Sequence, residues 1–274
     1  MRVEKISPSM GAIVYDLDLT KPLPQKVLME LRDVWLENLM IVIRGQSLSS
    51  EQYLSFSKQI GHPDVYPFLN GLDGYDMITP ILKRETEKVN FGGVWHTDTT
   101  YQKCPPMATM LYALELPPVG GDTLFSNQYI AYETLSDGLK KTLKKLRAVC
   151  RSDKATVSAT RSDRILESGK KVKSEALIGI HPVVRTHPET KKKCLFVNPA
   201  HTGSFEGWSD LESSSLLNFI FNHQVKEEFR CRHVWELGDL ALWDNRCALH
   251  YPVNDYFGHR RLLHRITLSG DRPY

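Results

Sequence analysis

The chain has 274 residues, of which 41% are hydrophobic and 24% are charged, and its formal net charge is +3. This composition is ordinary for a globular protein with a large core, and we expect one domain spanning residues 1–274. The lysine-rich runs contain no interleaved aromatic residues and no nucleic-acid-binding motif, so we interpret them as solvated surface and expect no nucleic-acid partner.

The cysteines are odd in number and scattered, with no C-x-x-C pair: Cys104, Cys150, Cys194, Cys231 and Cys247. This pattern favours reduced thiols over a disulfide or zinc framework. The N-terminus carries no apolar signal segment, and no apolar run approaches the ~18 residues that a membrane span needs. We therefore expect a cytoplasmic protein with no membrane partner.

Apolar residues recur at helical spacing in four stretches, which are predicted to be helices: residues 24–38, 49–61 and 127–146, and a stretch that begins at Ser209. Ser49 with Gln52, and Ser209 with Glu212, match the capping box that opens a helix. The first helix leads into the apolar run 39–43, which is predicted to be a buried strand.

Short runs of strand-forming residues, most of them bounded by Gly, Pro, Asn or Asp, predict further strands at residues 123–125, 195–197, 229–235, 240–243 and 262–268. Many short strands separated by turns favour a sandwich or jelly roll over a parallel sheet. The expected class is α+β, with a mostly β core and helices outside it. Two long polar segments, residues 61–93 and 151–179, exceed simple connections and are predicted to be lids or binding loops.

Residues 94–101 read VWHTDTTY and place His96 two residues before Asp98 in a segment that reads as extended chain. In a strand, side chains at i and i+2 lie on the same side, so the imidazole and the carboxylate would converge. His250, which follows the WDNR turn, offers a third ligand. Two imidazoles and one carboxylate form the facial triad of non-haem Fe(II) oxygenases. Three protein ligands in an octahedron leave three sites, enough for a bidentate organic acid and dioxygen.

Spacing alone does not select the third ligand, because seven other histidines compete with His250: His181, His187, His201, His223, His233, His259 and His264. For each of these a hydrogen-bonded structural or surface histidine is the more common role. The neighbourhood of His250 favours it. Downstream, Arg261 and Arg265 would share one face of a strand, where each could bind a carboxylate or sulfonate in a bidentate manner. The alternative is a pair of surface arginines on an edge strand.

Several motifs occur in order along the chain: WHTD at 95–98, ELP-x-x-GGDTL at 115–124, AYE-x-LS at 131–136, HPVVRTHP at 181–188, LFVN at 195–198, WDNR at 243–246, and H-x-x-x-x-DY from 250 followed by RR-x-x-HR-x-x-x-x-GD-x-P from 260. Together they resemble the Fe(II)/2-oxoglutarate-dependent dioxygenases of the taurine dioxygenase and 2,4-dichlorophenoxyacetate dioxygenase family, and the taurine branch more closely. The resemblance covers nearly the whole chain.

The resemblance implies a double-stranded β-helix, or jelly roll, flanked by helices, and it assigns His96, Asp98 and His250 as the iron ligands. Thr123 and Arg261 match the positions that hold the distal carboxylate of 2-oxoglutarate. Arg265 matches the arginine that faces the anionic end of the primary substrate.

The implied reaction consumes O2, decarboxylates 2-oxoglutarate to succinate and CO2, and hydroxylates a small organic anion. The family also implies a homo-oligomer, either a dimer or a tetramer.

The chain departs from the family pattern where the substrate would lie. Taurine-type enzymes place a histidine shortly after the second helix, and here His62 or Tyr66 falls near that position. His201 occupies a pocket position that is often aromatic or apolar in relatives. The substrate is therefore expected to be a small anion such as a sulfonate, an alkyl sulfate, an aryloxyalkanoate, a phosphonate or a carboxylated amine.

Two alternatives differ in class from a dioxygenase. One is a catalytically silent jelly-roll protein that keeps the scaffold and can bind a metal without turnover, and the other is a zinc site that performs hydrolysis without oxygen. The presence of all three ligands and both arginines argues against the silent protein.

Overall fold

The computed structural model describes residues 1–171 and 175–274. Its α-helices are α1 Gln25–Asn38, α2 Ser50–Ile60, α3 Gln128–Glu133, α4 Asp137–Leu143, α5 Ala155–Ser168 and α6 Asp210–His223. Its strands are β1 Arg2–Lys5, β2 Ala12–Tyr15, β3 Met40–Ile43, β4 Pro63–Asp64, β5 Thr79–Lys83, β6 Ala108–Glu115, β7 Thr123–Asn127, β8 Arg147–Arg151, β9 Ile178–Pro182, β10 Val184–Thr186, β11 Lys193–Leu195, β12 Thr202–Phe205, β13 Arg230–His233, β14 Leu240–Asp244, β15 Ala248–Pro252 and β16 Arg261–Leu268.

Two sheets enclose the central core. The larger has eight strands in the order β1-β2-β3-β14-β6-β16-β4, with β5 also paired to β16, and the smaller has the order β13-β7-β15. Apolar side chains from both sheets pack together between them, including Met40, Leu111, Phe125, Trp243 and Leu263. Two packed, mainly antiparallel sheets around one core are the predicted jelly roll.

Helices cover the outer face of the larger sheet. Strand β14 is buried along its whole length, and its side chains alternate between two environments. Trp243 lies in the core between the sheets, whereas Leu242 packs on the other face with Trp35 of α1 and Phe56 of α2. An α+β class with helices outside a β core is therefore what the structure shows.

The predicted helix starts are confirmed where a capping box specifies them. Ser49 and Gln52 form both hydrogen bonds of the box at α2, and Ser209 and Glu212 do so at α6. The single helix predicted over residues 127–146 is wrong, because the chain forms α3 and then α4. The Ser136 side chain accepts the N–H of Leu139 and so begins a new helix where one continuous helix was expected.

Most predicted strands are found. Runs 123–125, 240–243 and 262–268 lie within β7, β14 and β16, and run 229–235 shortens to β13. The run 195–197 is wrong beyond Leu195, where β11 ends. There the chain leaves its ladder with β10, and Val197 packs instead in an apolar cluster beneath α6.

The two long polar segments contain regular structure and contact each other. Segment 61–93 includes β4 and β5, and segment 151–179 includes α5, with residues 172–174 outside the described part. The Nζ of Lys170 donates to the backbone oxygens of Tyr66 and Leu69, and Asn70 donates to the oxygen of Ser168. Their role as lids stays a prediction.

Two sequence expectations concern the chain as a whole. All five cysteines lie in the described part and none forms a disulfide. Over the same residues, no helix combines the length and the apolar character needed to cross a membrane.

Candidate metal centre

The structure brings His96, Asp98 and His250 together. One ligand atom from each lies within 4.8 Å of the others. His96 and His250 form an isolated antiparallel bridge in which each N–H donates to the other's oxygen, at 3.0 and 2.8 Å. Strand β15 thus fixes the position of both imidazoles.

The extended chain expected over residues 94–101 is wrong except at His96. The segment is a series of bends and turns, and Thr99 has a left-handed φ of 45°. Asp98 therefore reaches the centre through a turn rather than through strand alternation. A hydrogen bond between Thr97 Oγ1 and the oxygen of Ala248 holds this turn against β15 at 3.1 Å.

Hydrogen bonds orient the ligand side chains. His96 Nδ1 donates to the oxygen of Val94 at 2.7 Å, which leaves its Nε2 facing Asp98 Oδ1 at 3.6 Å. Thr109 Oγ1 donates to Asp98 Oδ2 at 2.5 Å, and Asn245 Nδ2 donates to Thr109 Oγ1 at 2.8 Å. Thr109 was not identified from the sequence; the WDNR motif that contains Asn245 was the only signal pointing toward this network.

The protonation states suit a divalent cation. Burial opposes ionisation of Asp98, but the adjacent His96, His250 and Arg265 side chains outweigh it and hold the pKa of this carboxyl well below its usual range. Burial holds the pKa of His250 well below its usual range. The neutral His250 imidazole and the ionised Asp98 carboxylate, with the His96 imidazole beside them, are ligand types that suit Fe(II).

One cavity adjoins these three residues, and both predicted arginines line it. Arg261, Leu263 and Arg265 are buried along β16 and point toward the core between the sheets. The alternative of paired surface arginines is therefore wrong. Arg261 Nε and Nη2 and Arg265 Nη2 are buried and have no hydrogen-bond partner within the described residues.

Thr123 and Arg261 lie at one end of the cavity. Thr123 Oγ1 accepts a hydrogen bond from Trp235 Nε1 at 3.0 Å, so its own hydroxyl hydrogen is free to donate. Arg261 Cζ is 5.5 Å from the centre of the Trp235 ring. A cation and a hydroxyl donor with unused hydrogens form a site for a carboxylate.

Arg265, Tyr66 and His201 lie nearer the candidate metal ligands. Arg265 Cζ stands 4.1 Å over the ring of Tyr66, and its Nη1 is 3.9 Å from Asp98 Oδ1. His201 packs edge-to-face on Tyr101 at 4.9 Å. Burial lowers the pKa of His201 to about 3, so this imidazole is neutral at physiological pH.

His62 does not line the cavity. Its side chain is exposed, and its backbone oxygen accepts the N–H of Ser269. The structure therefore does not support His62 as a substrate contact, because the segment after α2 turns Tyr66 inward instead. Lys83, Tyr101 and Arg161, which were not identified from the sequence, also line the cavity.

A second group of possible metal ligands is a closed hydrogen-bond network. His187, Asp244 and Cys247 lie together in the core. His187 Nδ1 accepts the N–H groups of Glu189 and Thr190, and its Nε2 donates to Asp244 at 3.0 Å. Both ring nitrogens are occupied, so His187 is structural. Like His187, two other competing histidines form hydrogen bonds to the protein: His181 with the oxygen of Thr100 and His223 with that of Ala131.

The sequence pattern of a known family spans this site. The model of the taurine catabolism dioxygenase TauD, TfdA family matches residues 2–267. The chain belongs to this family. The TauD, TfdA assignment confirms the predicted family, and with it the class of 2-oxoglutarate-dependent dioxygenases, which are oxidoreductases that use Fe(II), 2-oxoglutarate and O2.

Individual members of the TauD, TfdA family resemble the chain over nearly its full length. It is 31% identical over 278 residues to an alkylsulfatase of Acinetobacter baylyi, covering 99% of this chain and 86% of the relative. It is 30% identical over 275 residues to an alpha-ketoglutarate-dependent sulfate ester dioxygenase of Pseudomonas putida, covering 99% and 90%. A crystal structure of a taurine dioxygenase from Burkholderia xenovorans superposes with a TM-score of 0.83 at 32% identity, covering 99% and 90%.

Proposed function

We propose that this chain hydroxylates a small organic sulfate ester or sulfonate while 2-oxoglutarate is decarboxylated to succinate and CO2. The observation that supports this proposal is that the His96–Asp98–His250 group lines one cavity together with the buried guanidinium groups of Arg261 and Arg265. Both guanidinium groups keep nitrogens that have no hydrogen-bond partner within the described residues. This arrangement can bind two anions beside one metal centre.

His96, Asp98 and His250 would hold Fe(II), which when bound supplies the oxygen activation needed to hydroxylate an unactivated C–H bond. Hydrogen bonds within the protein would orient these ligands for the metal. Val94 sets the ring of His96, and Thr109 holds one oxygen of Asp98 so that the other faces His96. Such outer hydrogen bonds determine which ligand atoms are free to bind.

Thr123 and Arg261 would bind the distal carboxylate of 2-oxoglutarate. The guanidinium lies against Trp235, and the hydroxyl accepts from the same indole. This shared packing fixes the spacing between the two donors. The keto-acid end of the co-substrate can then reach the metal ligands through the same cavity.

Arg265 would bind the sulfate or sulfonate group of the primary substrate. Tyr66, Tyr101 and the neutral His201 form the walls around it, so the carbon chain meets aromatic surface while the anion meets the guanidinium. Anchoring the anion places the adjacent carbon at the metal centre, a positioning effect that contributes several kcal/mol, on the order of 7–11 at most.

The names of two relatives favour a sulfate ester. Hydroxylation of the carbon that bears the ester oxygen gives a hydroxyalkyl sulfate. Its C–O bond to sulfate breaks, the hydroxyl proton leaves, and an aldehyde and inorganic sulfate result. The overall balance is one alkyl sulfate, one 2-oxoglutarate and one O2 giving one aldehyde, one sulfate, one succinate and one CO2.

A substrate panel tests the proposal. Fe(II)-loaded protein would receive 2-oxoglutarate and, in turn, a medium-chain alkyl sulfate, taurine or an aryloxyacetate, with succinate as the readout. We expect succinate above the substrate-free rate with the alkyl sulfate or the sulfonate. Stimulation by the aryloxyacetate alone would refute the substrate class. An anaerobic experiment distinguishes the dioxygenase from hydrolysis at a zinc site, because hydrolysis would release sulfate without O2.

We also infer a cytoplasmic location and a homo-oligomeric assembly. A cytoplasmic location is supported by the five unpaired cysteines. A dimer or tetramer follows from the family resemblance, and light scattering on the purified protein tests it by mass.

A further inference from the structure

Lys83, which no sequence motif indicated as a site residue, lies beside Arg261 of the proposed co-substrate site. Lys83 ends β5 and is directly opposite Arg261 of β16 in the antiparallel register. Residues opposite each other on one face of a sheet have their side chains in contact range. Both residues are buried, with 4% of Lys83 and 5% of Arg261 exposed, and both line the cavity.

Neither cation has an anionic partner within the part of the chain that the structure describes. Lys83 Nζ forms no hydrogen bond there, and neither do Nε and Nη2 of Arg261. The nearby carboxylates are engaged elsewhere: Asp122 binds Arg232 at 2.6 Å, and Glu87 binds Arg164 at 2.7 Å.

Aromatic rings hold the ammonium and the guanidinium at the same end of the cavity. Lys83 Nζ is 4.2 Å from the centre of the Tyr256 ring, and Arg261 Cζ is 6.0 Å from that ring. The Tyr256 hydroxyl donates to Asn90 Oδ1 at 2.9 Å, so the ring position is fixed. The two cations thus share one wall.

Two adjacent buried cations without a counter-ion are unfavourable, because each loses hydration and each repels the other. A bound carboxylate removes both penalties, since its two oxygens accept several hydrogen bonds from ammonium and guanidinium donors. Lys83 therefore fits an anion that arrives with a ligand better than a partner within the fold.

The strand register indicates which ligand carries the anion that Lys83 binds. Along β5 and β16, Lys83 is opposite Arg261, whereas Thr79 is opposite Arg265. The ammonium therefore stands at the Arg261 and Thr123 end of the cavity and not at the Arg265 end. We propose that Lys83 binds the distal carboxylate of 2-oxoglutarate, together with Arg261 and Thr123. This inference rests on the proposed co-substrate site and adds a residue to it.

The test is calorimetric binding of 2-oxoglutarate to Mn(II)-loaded protein without O2 and without a primary substrate. Lys83→Met keeps the side-chain length and removes the charge, and Lys88→Met is the matched control because Lys88 is exposed in the same segment. We expect Lys83→Met to weaken 2-oxoglutarate binding at least tenfold and Lys88→Met to leave it unchanged. Binding of 2-oxovalerate, which has a methyl group in place of the distal carboxylate, should not respond to either change.

Three outcomes would overturn the assignment. If Lys83→Met binds 2-oxoglutarate with wild-type affinity, Lys83 is not part of the site, and the proposed function stands. Equal weakening of 2-oxovalerate binding shows a general distortion of the cavity. Failure of the wild type itself to bind 2-oxoglutarate refutes the proposed function together with the inference.

A structural role for Lys83 makes a different prediction. If Lys83 served only to pack its ammonium on Tyr256, Lys83→Met would lower the melting temperature of the ligand-free protein and leave 2-oxoglutarate binding unchanged. We expect instead that adding 2-oxoglutarate raises the melting temperature of Lys83→Met by less than that of the wild type. Lys88→Met should show the wild-type rise.

Discussion

The guanidinium of Arg265 touches both the candidate metal centre and the wall of the substrate cavity. Its Nη1 lies 3.9 Å from Asp98 Oδ1, and its Cζ lies 4.1 Å from the centre of the Tyr66 ring. Arg261, four residues earlier on the same strand, lies instead against Trp235. Two arginines on one strand face thus occupy different ends of one cavity, and each is predicted to bind a different anion.

Arg261→Met and Arg265→Met should affect different substrates. Truncating one partner of a buried charge pair costs about 2–5 kcal/mol, which corresponds to about 30- to 5000-fold in affinity. We expect Arg261→Met to raise the KM for 2-oxoglutarate and Arg265→Met to raise the KM for the organic anion, as measured by succinate formation. Equal effects of both changes on both substrates would refute this division.

Tyr66 and His62 should differ in their contribution to substrate binding. Tyr66→Leu removes the ring beneath Arg265, and a cation–π contact of this kind contributes about 0.5–2 kcal/mol. We therefore expect the KM for the organic anion to rise by about two- to thirtyfold. His62→Leu should leave this KM unchanged, because His62 is exposed and does not line the cavity. A raised KM in His62→Leu with an unchanged KM in Tyr66→Leu would show that His62, and not Tyr66, contributes to binding of the anion.

Thr109 should position Asp98 for the metal. Thr109→Val removes the hydroxyl that donates to Asp98 Oδ2 and keeps the side-chain shape. Loss of an outer hydrogen bond to a metal ligand typically weakens metal binding about 10- to 100-fold. A chelator competition with Mn(II) measures the change, and Thr109→Ser, which keeps the hydroxyl, should bind like the wild type. Unchanged affinity in Thr109→Val would contradict the positioning role.

Asp244 should make stability depend on acid pH. Burial opposes its ionisation, but Arg246 and His187 outweigh burial and hold the pKa of this carboxyl well below its usual range. Because the folded pKa is lower than the unfolded value of about 3.9, Asp244 stabilises the fold at higher pH and loses this contribution as pH falls below about 4.

The variant Asp244→Asn isolates this effect. Breaking a buried ion pair costs about 3–5 kcal/mol at neutral pH, which urea unfolding measures. We expect the stability difference between wild type and Asp244→Asn to shrink between pH 5 and pH 3. A difference that stays constant or grows over this range would show that Arg246 does not control the protonation of Asp244.

Local sequence signals predicted the features that depend on local contacts. The capping boxes at Ser49 and Ser209 specified helix starts because their hydrogen bonds join residues three positions apart. Strand alternation placed Arg261 and Arg265 on one face of β16, because side chains at even spacing lie on the same side, but it did not determine whether that face is buried. Apolar residues continue at helical spacing across Ser136, so periodicity alone predicts one helix, whereas the Ser136 cap begins a second helix there.

Local sequence signals do not predict contacts between distant parts of the chain. Thr109 meets Asn245 across 136 positions, and Lys83 meets Arg261 only through the pairing of β5 with β16. Asp98 was correctly paired with His96 for an incorrect reason, because a turn rather than a strand brings them together. The family motifs supplied His250, which spacing alone had left among eight histidines.

The most direct test of the central claim measures the stoichiometry of one reaction. Fe(II)-loaded protein would be given an alkyl sulfate and 2-oxoglutarate in air-saturated buffer, and O2 consumption, succinate and inorganic sulfate would be followed together, with Asp98→Ala as the metal-ligand control. We predict equal amounts of all three in the wild type and none above background in Asp98→Ala. Sulfate released without O2 consumption, or in equal amount by Asp98→Ala, would contradict the account.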